Sequence, residues 1–261
     1  MCFFLSVPDA NSDIVLVTPV WNDSQRLAGF GAELARSLAA SDLNVTWVIA
    51  DDGSGTKEVA QLDRLLDEFS EVYSDIVLQP HPQRSRKGGA IYQSWAAFPD
   101  YDYYAFVDAD GAIAPVDVIR LLQRAVASDV ADESFVAVRQ LEGSLLVARS
   151  GLRKLSFHLF HGMVGALIGL KCADTQCGAK IISGNAYRVV EKSLRERGFV
   201  FDVELLLALQ ENGYRVKELE IDWLEKPGGK VSPLRDAWRM MAALFRIRWR
   251  WKAGAYRLTD L

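Results

Sequence analysis

Two carboxylates one residue apart, in Asp108-Ala109-Asp110-Gly111, are the sharpest chemical feature of this chain. They follow an apolar run directly. A pair so placed can hold a hard divalent cation, because Mg²⁺ and Mn²⁺ prefer oxygen ligands and share their shells with substrate phosphates. The same spacing also describes a plain acidic turn ahead of a helix, so the surrounding motifs matter. Asp51-Asp52-Gly53-Ser54 is a second acidic turn, whose glycine admits a ligand close to the backbone. There, Ser54 or Thr56 could instead cap the next helix. Lys87-Gly88-Gly89 could offer an ammonium and backbone N–H groups to phosphate, although Arg84-Ser85-Arg86-Lys87 also reads as a solvated basic loop.

Other nucleotide and metal chemistries fail on order and spacing. The first apolar run leads into Thr18-Pro19-Val20-Trp21-Asn22-Asp23, with no Gly-x-Gly-x-x-Gly turn, and no Gly-x-x-x-x-Gly-Lys-Ser/Thr loop occurs. Asp108 and Asp110 lack the third ligand and closing Glu of a calcium loop. A phosphatase built on an Asp-x-Asp nucleophile is disfavoured by Ala112, where a Thr or Val is needed. Cys172 and Cys177 form a lone pair without a second pair, which favours free thiols over a zinc site.

These motifs need a scaffold. The segments 13–20, 44–50, 75–79 and 103–107 are β-branched or aromatic and bounded by turn residues, so they read as strands. Between them, 24–40, 56–69 and 88–98 read as helices, with Leu62, Leu65, Leu66 and Phe69 forming one stripe. Regular alternation predicts an α/β fold with a mostly parallel sheet flanked by helices, and ligands at the carboxyl ends of the strands. Three acidic tips then face one crevice. Further on, the sequence predicts helices over 115–128, 150–170, 185–197, 202–212 and 232–252, and strands over 135–139, 179–183 and 214–223.

Length and composition set the frame. At 261 residues, 50% hydrophobic and 25% charged, the chain can bury a large core and is neither disordered nor low-complexity. Net charge is −4, yet 235–257 carries seven Lys or Arg against one Asp. An acidic body with a basic tail suggests a localised anionic partner and not a nucleic acid. On a helical wheel Arg235, Arg239, Arg246 and Arg250 fall within about 60°, while Trp238, Leu244, Phe245, Ile247, Trp249 and Trp251 fill the arc outside that sector. Such a helix can lie in a bilayer interface or pack as core. The stretch 150–170, with Arg149, Arg153 and Lys154 at its start, is open to the same two readings. Nothing in the sequence is apolar enough to span a bilayer, and no secretory signal is apparent, so the expected location is cytoplasmic.

In this order the motifs resemble glycosyltransferase family 2, and within it the polyprenyl-phosphate glycosyltransferases, nearest their dolichyl-phosphate glucose-transferring branch and further from the mannose-transferring one. The likeness adds Asp174-Thr175-Gln176-Cys177-Gly178-Ala179-Lys180, Phe201-Asp202-Val203-Glu204 and Gly228-Gly229-Lys230-Val231, and runs from about Asp13 to Leu258. It implies a GT-A fold, with a catalytic domain over 1–225 and a basic amphipathic membrane-association segment over 226–261. It also implies inverting transfer of a hexose from a UDP-sugar to a polyprenyl phosphate by an enzyme peripheral to the cytoplasmic face of a membrane.

Carried over by position, Pro19, Trp21, Asp23, Asp52 and Lys87 line the donor, and Asp108 and Asp110 hold Mg²⁺ or Mn²⁺ and the donor diphosphate. Arg139, Arg149 and Lys230 meet the acceptor phosphate or departing diphosphate, and Asp174, Gln176, Asp202 and Glu204 surround the sugar. Gly229 stands where relatives usually have Ser, and Ala179 where an aromatic is common. A family 2 enzyme with a soluble saccharide or protein acceptor is the first rival reading, and a non-catalytic membrane-docking module the second.

Overall fold

The computed structural model describes residues 12–139, 151–170, 172–224 and 233–257, of which 151–159 and 233–235 are described as backbone only. Arg149 and Lys230 lie outside the described residues, as does the Arg235 side chain. Elements follow in the order β1 (Asp13–Val20), α1 (Ser24–Ala39), β2 (Asn44–Asp51), α2 (Thr56–Ser70), β3 (Ile76–Pro80), α3 (Arg86–Ala97), β4 (Tyr103–Val107) and α4 (Pro115–Val126). Then come β5 (Ser134–Arg139), α5 (Gly151–Ile168), β6 (Ala179–Ser183), α6 (Gly184–Val190), α7 (Phe201–Glu211), β7 (Val216–Ile221) and α8 (Pro233–Lys252).

The strands form one sheet in the order β3-β2-β1-β4-β6-β5-β7. β3, β2, β1 and β4 run parallel, β6 is antiparallel to both its neighbours, and β5 and β7 are parallel. Because side chains alternate along a strand, β1 feeds two apolar layers. Ile14 and Leu16 join the side covered by α1, α2 and α4, while Val15 and Val17 join the side covered by α3, α7 and α8.

Burial on both faces explains why β1 and β4 are legible as unbroken apolar runs, whereas β3, at the sheet edge, is only partly buried. One segment differs from expectation: the predicted helix 185–197 stops at Val190, apart from a short 3₁₀ turn at Glu191–Ser193. The reason is local. The N–H groups of Arg195 and Glu196 donate to Glu204 Oε2 at 2.8 and 2.6 Å, a partner the helix could not give them.

Helix α8 is not a loose appendage. Ala243, Leu244 and Ile247 are buried in the second apolar layer together with Tyr256. Arg246 and Arg250 turn inward to Glu196, and Arg250 also reaches Glu204 at 2.8 Å. The expected apolar arc is therefore divided. Leu244 and Ile247 face the body, whereas Trp238, Phe245 and Trp249 are 77%, 55% and 73% exposed. Buried Glu196 and Glu204 require cations, and that requirement rotates the arginine edge toward the protein. Among the described residues, no helix is long and apolar enough to cross a membrane.

Candidate active site

The turns after β1 and β2 are laced together. Asn22 adopts a left-handed backbone (φ 48°); its N–H donates to Ser54 Oγ at 2.7 Å, and its Oδ1 accepts from Gly55 N–H at 2.9 Å. Ser54 is thus a cross-link between loops and not a helix cap; the residue before α2 is Gly55, without a side-chain cap bond. Gly53 (φ +69°) must be glycine, since a Cβ would sit 2.8 Å from the Arg84 backbone nitrogen. Asp52 then organises the basic loop. Its Oδ1 accepts from Ser85 N–H (2.5 Å) and Ser85 Oγ (2.9 Å), and its Oδ2 from Arg86 N–H (2.8 Å), which caps the start of α3. Arg84 is carried over the Trp21 ring, 3.2 Å from its centre.

The strand ends open on a cavity of about 440 Å³. Of the residues singled out in the sequence, Pro19, Trp21, Asp23 and Asp52 line one part of it; Lys87, Asp108, Asp110, Gln176 and Asp202 line the rest. Lys87 Nζ lies 2.7 and 2.9 Å from the two oxygens of Asp108. Burial alone would lower the Lys87 ammonium, but Asp108, Asp202 and Asp110 outweigh it and raise its pKa. The Asp110 carboxyl is raised by burial and then by the negative charge of Asp108, against a hydrogen bond from Ala112 N–H and the cations Arg26 and Lys87. Two carboxylates held together in this way, both open to the cavity, suit a divalent cation whose remaining ligands come from a bound diphosphate. Among the described residues no set of three or more His, Cys, Asp or Glu gathers for a metal, so Asp108 and Asp110 would form part of its shell.

Asp202 sits at the start of α7, with Gln176 Nε2 donating to its Oδ1 at 2.6 Å and fully buried Lys180 3.5 Å from its Oδ2. Lys180 also donates to the Thr175 and Cys177 carbonyls, both at 2.9 Å, and so braces the whole Asp174–Cys177 loop under the cavity. Burial raises the Asp202 carboxyl even so, against Lys180 and Lys87.

Three residues grouped with the site by sequence, Arg139, Asp174 and Glu204, are not brought to the cavity. Arg139 is tied to Asp174 by two hydrogen bonds, one of them 2.9 Å from Nη2, and its guanidinium lies over Trp223. Glu204 is fully buried and accepts from Arg195, Glu196, Arg250 and Tyr256, which makes it an anchor for α8. Conversely, Arg26, Arg84, Arg86, Phe199, Asp236 and Arg239 line the cavity although the sequence did not assign them to the site: Arg84 and Arg86 read as a basic loop and Arg239 as part of the basic edge of the last helix. Arg26 had a sequence signal, one helical turn after Asp23 in α1; it pairs with Asp23 and lies 3.6 Å from Asp110. The α8 residues had none that pointed to this cavity, because only tertiary packing brings them to the strand ends. Cys172 and Cys177 are free thiols.

Comparison with known proteins accords with this arrangement. The sequence profile for glycosyl transferase family 2 matches residues 15–161. The chain is similar to dolichyl-phosphate beta-glucosyltransferases: that of Dictyostelium discoideum at 26% identity, covering 96% of this chain and 78% of the relative, and that of Mus musculus at 29%, covering 93% and 77%. Among solved structures it resembles glucosyl-3-phosphoglycerate synthase from Mycobacterium tuberculosis in complex with Mn²⁺, UDP-glucose and phosphoglyceric acid. The TM-score is 0.66 at 16% identity, over 94% of this chain and 82% of that one. That likeness establishes the GT-A fold, as the motifs led us to expect. With more than half its length matched by the profile, and its acidic strand ends facing one cavity, the chain belongs to glycosyl transferase family 2.

Proposed function

We propose that this enzyme moves glucose from UDP-glucose to a polyprenyl monophosphate, with inversion, while seated on the cytoplasmic face of a membrane. One observation carries the lipid acceptor: a single helix, α8, places Asp236, Arg239 and Met240 in the wall of the donor cavity and presents Trp238, Phe245 and Trp249 to the outside. Exposed Trp beside Arg is the composition of an interfacial helix, with rings at headgroup depth and guanidinium groups on lipid phosphates. The similarity to dolichyl-phosphate glucosyltransferases over nearly the whole chain supports the same reading and suggests the sugar.

In this reading Pro19, Trp21 and the Arg84 loop held by Asp52 receive the nucleoside, and Lys87 meets the diphosphate. A lipid phosphate with a second pKa of about 6 is largely dianionic at neutral pH, so it needs little help from a general base. One of its oxygens bonds to the anomeric carbon as the bond to the diphosphate oxygen breaks, and the electron pair leaves with UDP. Mg²⁺ or Mn²⁺ held by Asp108 and Asp110 would supply charge neutralisation for that leaving group. Gln176 and Lys180 hold Asp202 in place beside the sugar. The segment 226–261 acts as the membrane contact, although its helix is also part of the core.

Screening UDP-sugars with farnesyl phosphate and Mn²⁺ tests the reaction: glucosyl transfer to the lipid is expected. Transfer only to a soluble phosphorylated acceptor would establish the rival reading. Cutting off α8 would strip Leu244 and Ile247 from the core, so the membrane role is better tested by Trp238→Ser/Phe245→Ser/Trp249→Ser. That variant should lose co-sedimentation with anionic vesicles while keeping its fold, and undiminished sedimentation rejects the assignment.

A further inference from the structure

A second cavity, of about 530 Å³, lies between α8 and the 194–200 loop. Arg86, Arg195, Arg197, Arg239, Arg246 and Arg250 line it, and among the described residues the only acids on its wall are Glu196 and Asp236. The charges are unequally matched. Arg246 and Arg250 pair with Glu196 at 2.7 and 2.8 Å, and Arg239 reaches Asp236 only at 3.5 Å. Among the described residues Arg86, Arg195 and Arg197 have no carboxylate partner; Arg195 donates to the Leu194 carbonyl, and Arg197 lies near the Tyr92 ring. Guanidinium groups gathered on one concave wall repel each other and focus a positive potential that an anion relieves.

The loop that carries them is fixed from both sides. Glu204 takes the Arg195 and Glu196 N–H groups, and Gly89 N–H donates to the Arg197 carbonyl at 3.0 Å. An anion arriving there therefore finds the backbone that carries its donors already ordered, which lowers the entropic cost of binding. The cleft also shares Arg86, Phe199, Asp236, Arg239 and Met240 with the donor cavity, so its occupant abuts the donor. Its outer rim is apolar. Phe199 and Trp238 are exposed there, and Trp238 continues into the aromatic face of α8.

We infer that this arginine cleft seats the phosphomonoester head of a lipid, held by Arg195 and Arg197 with Arg86, while the hydrocarbon leaves over Phe199 and Trp238. Planar guanidinium groups suit phosphate oxygens, and the apolar exit favours a lipid over a free phosphate. The inference rests on the lipid-acceptor reading above and relocates the phosphate from Arg139, which Asp174 occupies.

The test titrates farnesyl phosphate, inorganic phosphate and farnesol into the full chain, followed by tryptophan fluorescence, for wild type and Arg195→Ala/Arg197→Ala. Farnesyl phosphate should bind at least about tenfold more tightly than either fragment, and the double variant should weaken it roughly 100-fold. UDP and Mn²⁺ binding, measured by calorimetry, should not change, because neither arginine lines the donor cavity. If the double variant does not fold, Arg195→Gln and Arg197→Gln singly should each cost roughly tenfold. Unchanged affinity in a folded variant overturns the site, and equal affinity for inorganic phosphate overturns its assignment to a lipid. Binding through these arginines without sugar transfer leaves the cleft standing and refutes the lipid-acceptor function. Transfer to farnesyl phosphate with an unaltered KM in the variant does the reverse.

Discussion

Replacing Gly178 by Ala should disable the enzyme at small cost to its fold. Gly178 precedes β6, and its carbonyl accepts from the Asp108 N–H at 2.9 Å, so its backbone cannot drift from the acidic pair. A Cβ there would lie 2.4 Å from Asp108 Oδ2, 2.8 Å from Cγ and 3.2 Å from Cβ. Favourable contact between carbons begins at about 3.5 Å, so the Asp108 carboxylate must swing aside by roughly 1 Å. Overpacking usually costs about 1–3 kcal/mol. Because the carboxylate can turn into the open cavity, the lower half of that range is expected, or about 2–8 °C in Tm for a chain of this size. The chemical cost is larger. A displacement of about 1 Å in a positioning group lowers turnover on the order of 100-fold, and the Lys87 contacts at 2.7 and 2.9 Å are lost with it. Thermal unfolding, Mn²⁺-dependent UDP binding by calorimetry and UDP release on sugar transfer would be measured side by side. A folded variant with turnover and Mn²⁺ dependence like the wild type would refute the placement of Asp108 at the reacting centre.

In contrast, Gly165→Ala on α5, where an added Cβ meets nothing within 4 Å, should stabilise the protein by about 0.4–1 kcal/mol, read from urea unfolding; a loss of stability would contradict the helix there. Burial lowers the pKa of His81 below its usual value despite Asp52 and Asp51. The unfolded chain then binds a proton from about pH 6.5 downward that the folded chain refuses, so this residue makes stability fall as pH drops below that point. An NMR titration of His81 at or above the ordinary histidine value would overturn this. Burial pushes both Cys172 and Cys177 thiols up to about 12, so in a Cys2→Ser background alkylation at pH 8 should be slow until denaturant is added. Fast labelling of the native protein would show the thiols to be exposed.

Much of the first half of the fold is written locally. β1 and β4 are buried on both faces, so they appear as unbroken β-branched and aromatic runs, and their ends are marked by turn acids. The same logic revealed Asp108, Asp110, Asp52 and Lys87, since a strand end followed by an acid or a helix start by a lysine is a short-range pattern. The orientation of β6 was not legible, because an apolar run of five residues looks alike in either direction.

By itself the sequence determined the alternating α/β order, the acidic strand ends and the amphipathic character of the last helix, because each depends on residues near one another in the chain. Only the tertiary structure decided what those residues touch. It turned Asp52 into a cap for α3, made Glu204 the anchor of α8, tied Arg139 to Asp174, and set Arg195 and Arg197 on a cleft that adjoins the cavity at the strand ends. Those outcomes depend on pairs separated by tens of residues, where a buried carboxylate takes whichever donors the packing brings within reach, and hydrophobic periodicity carries no record of that choice.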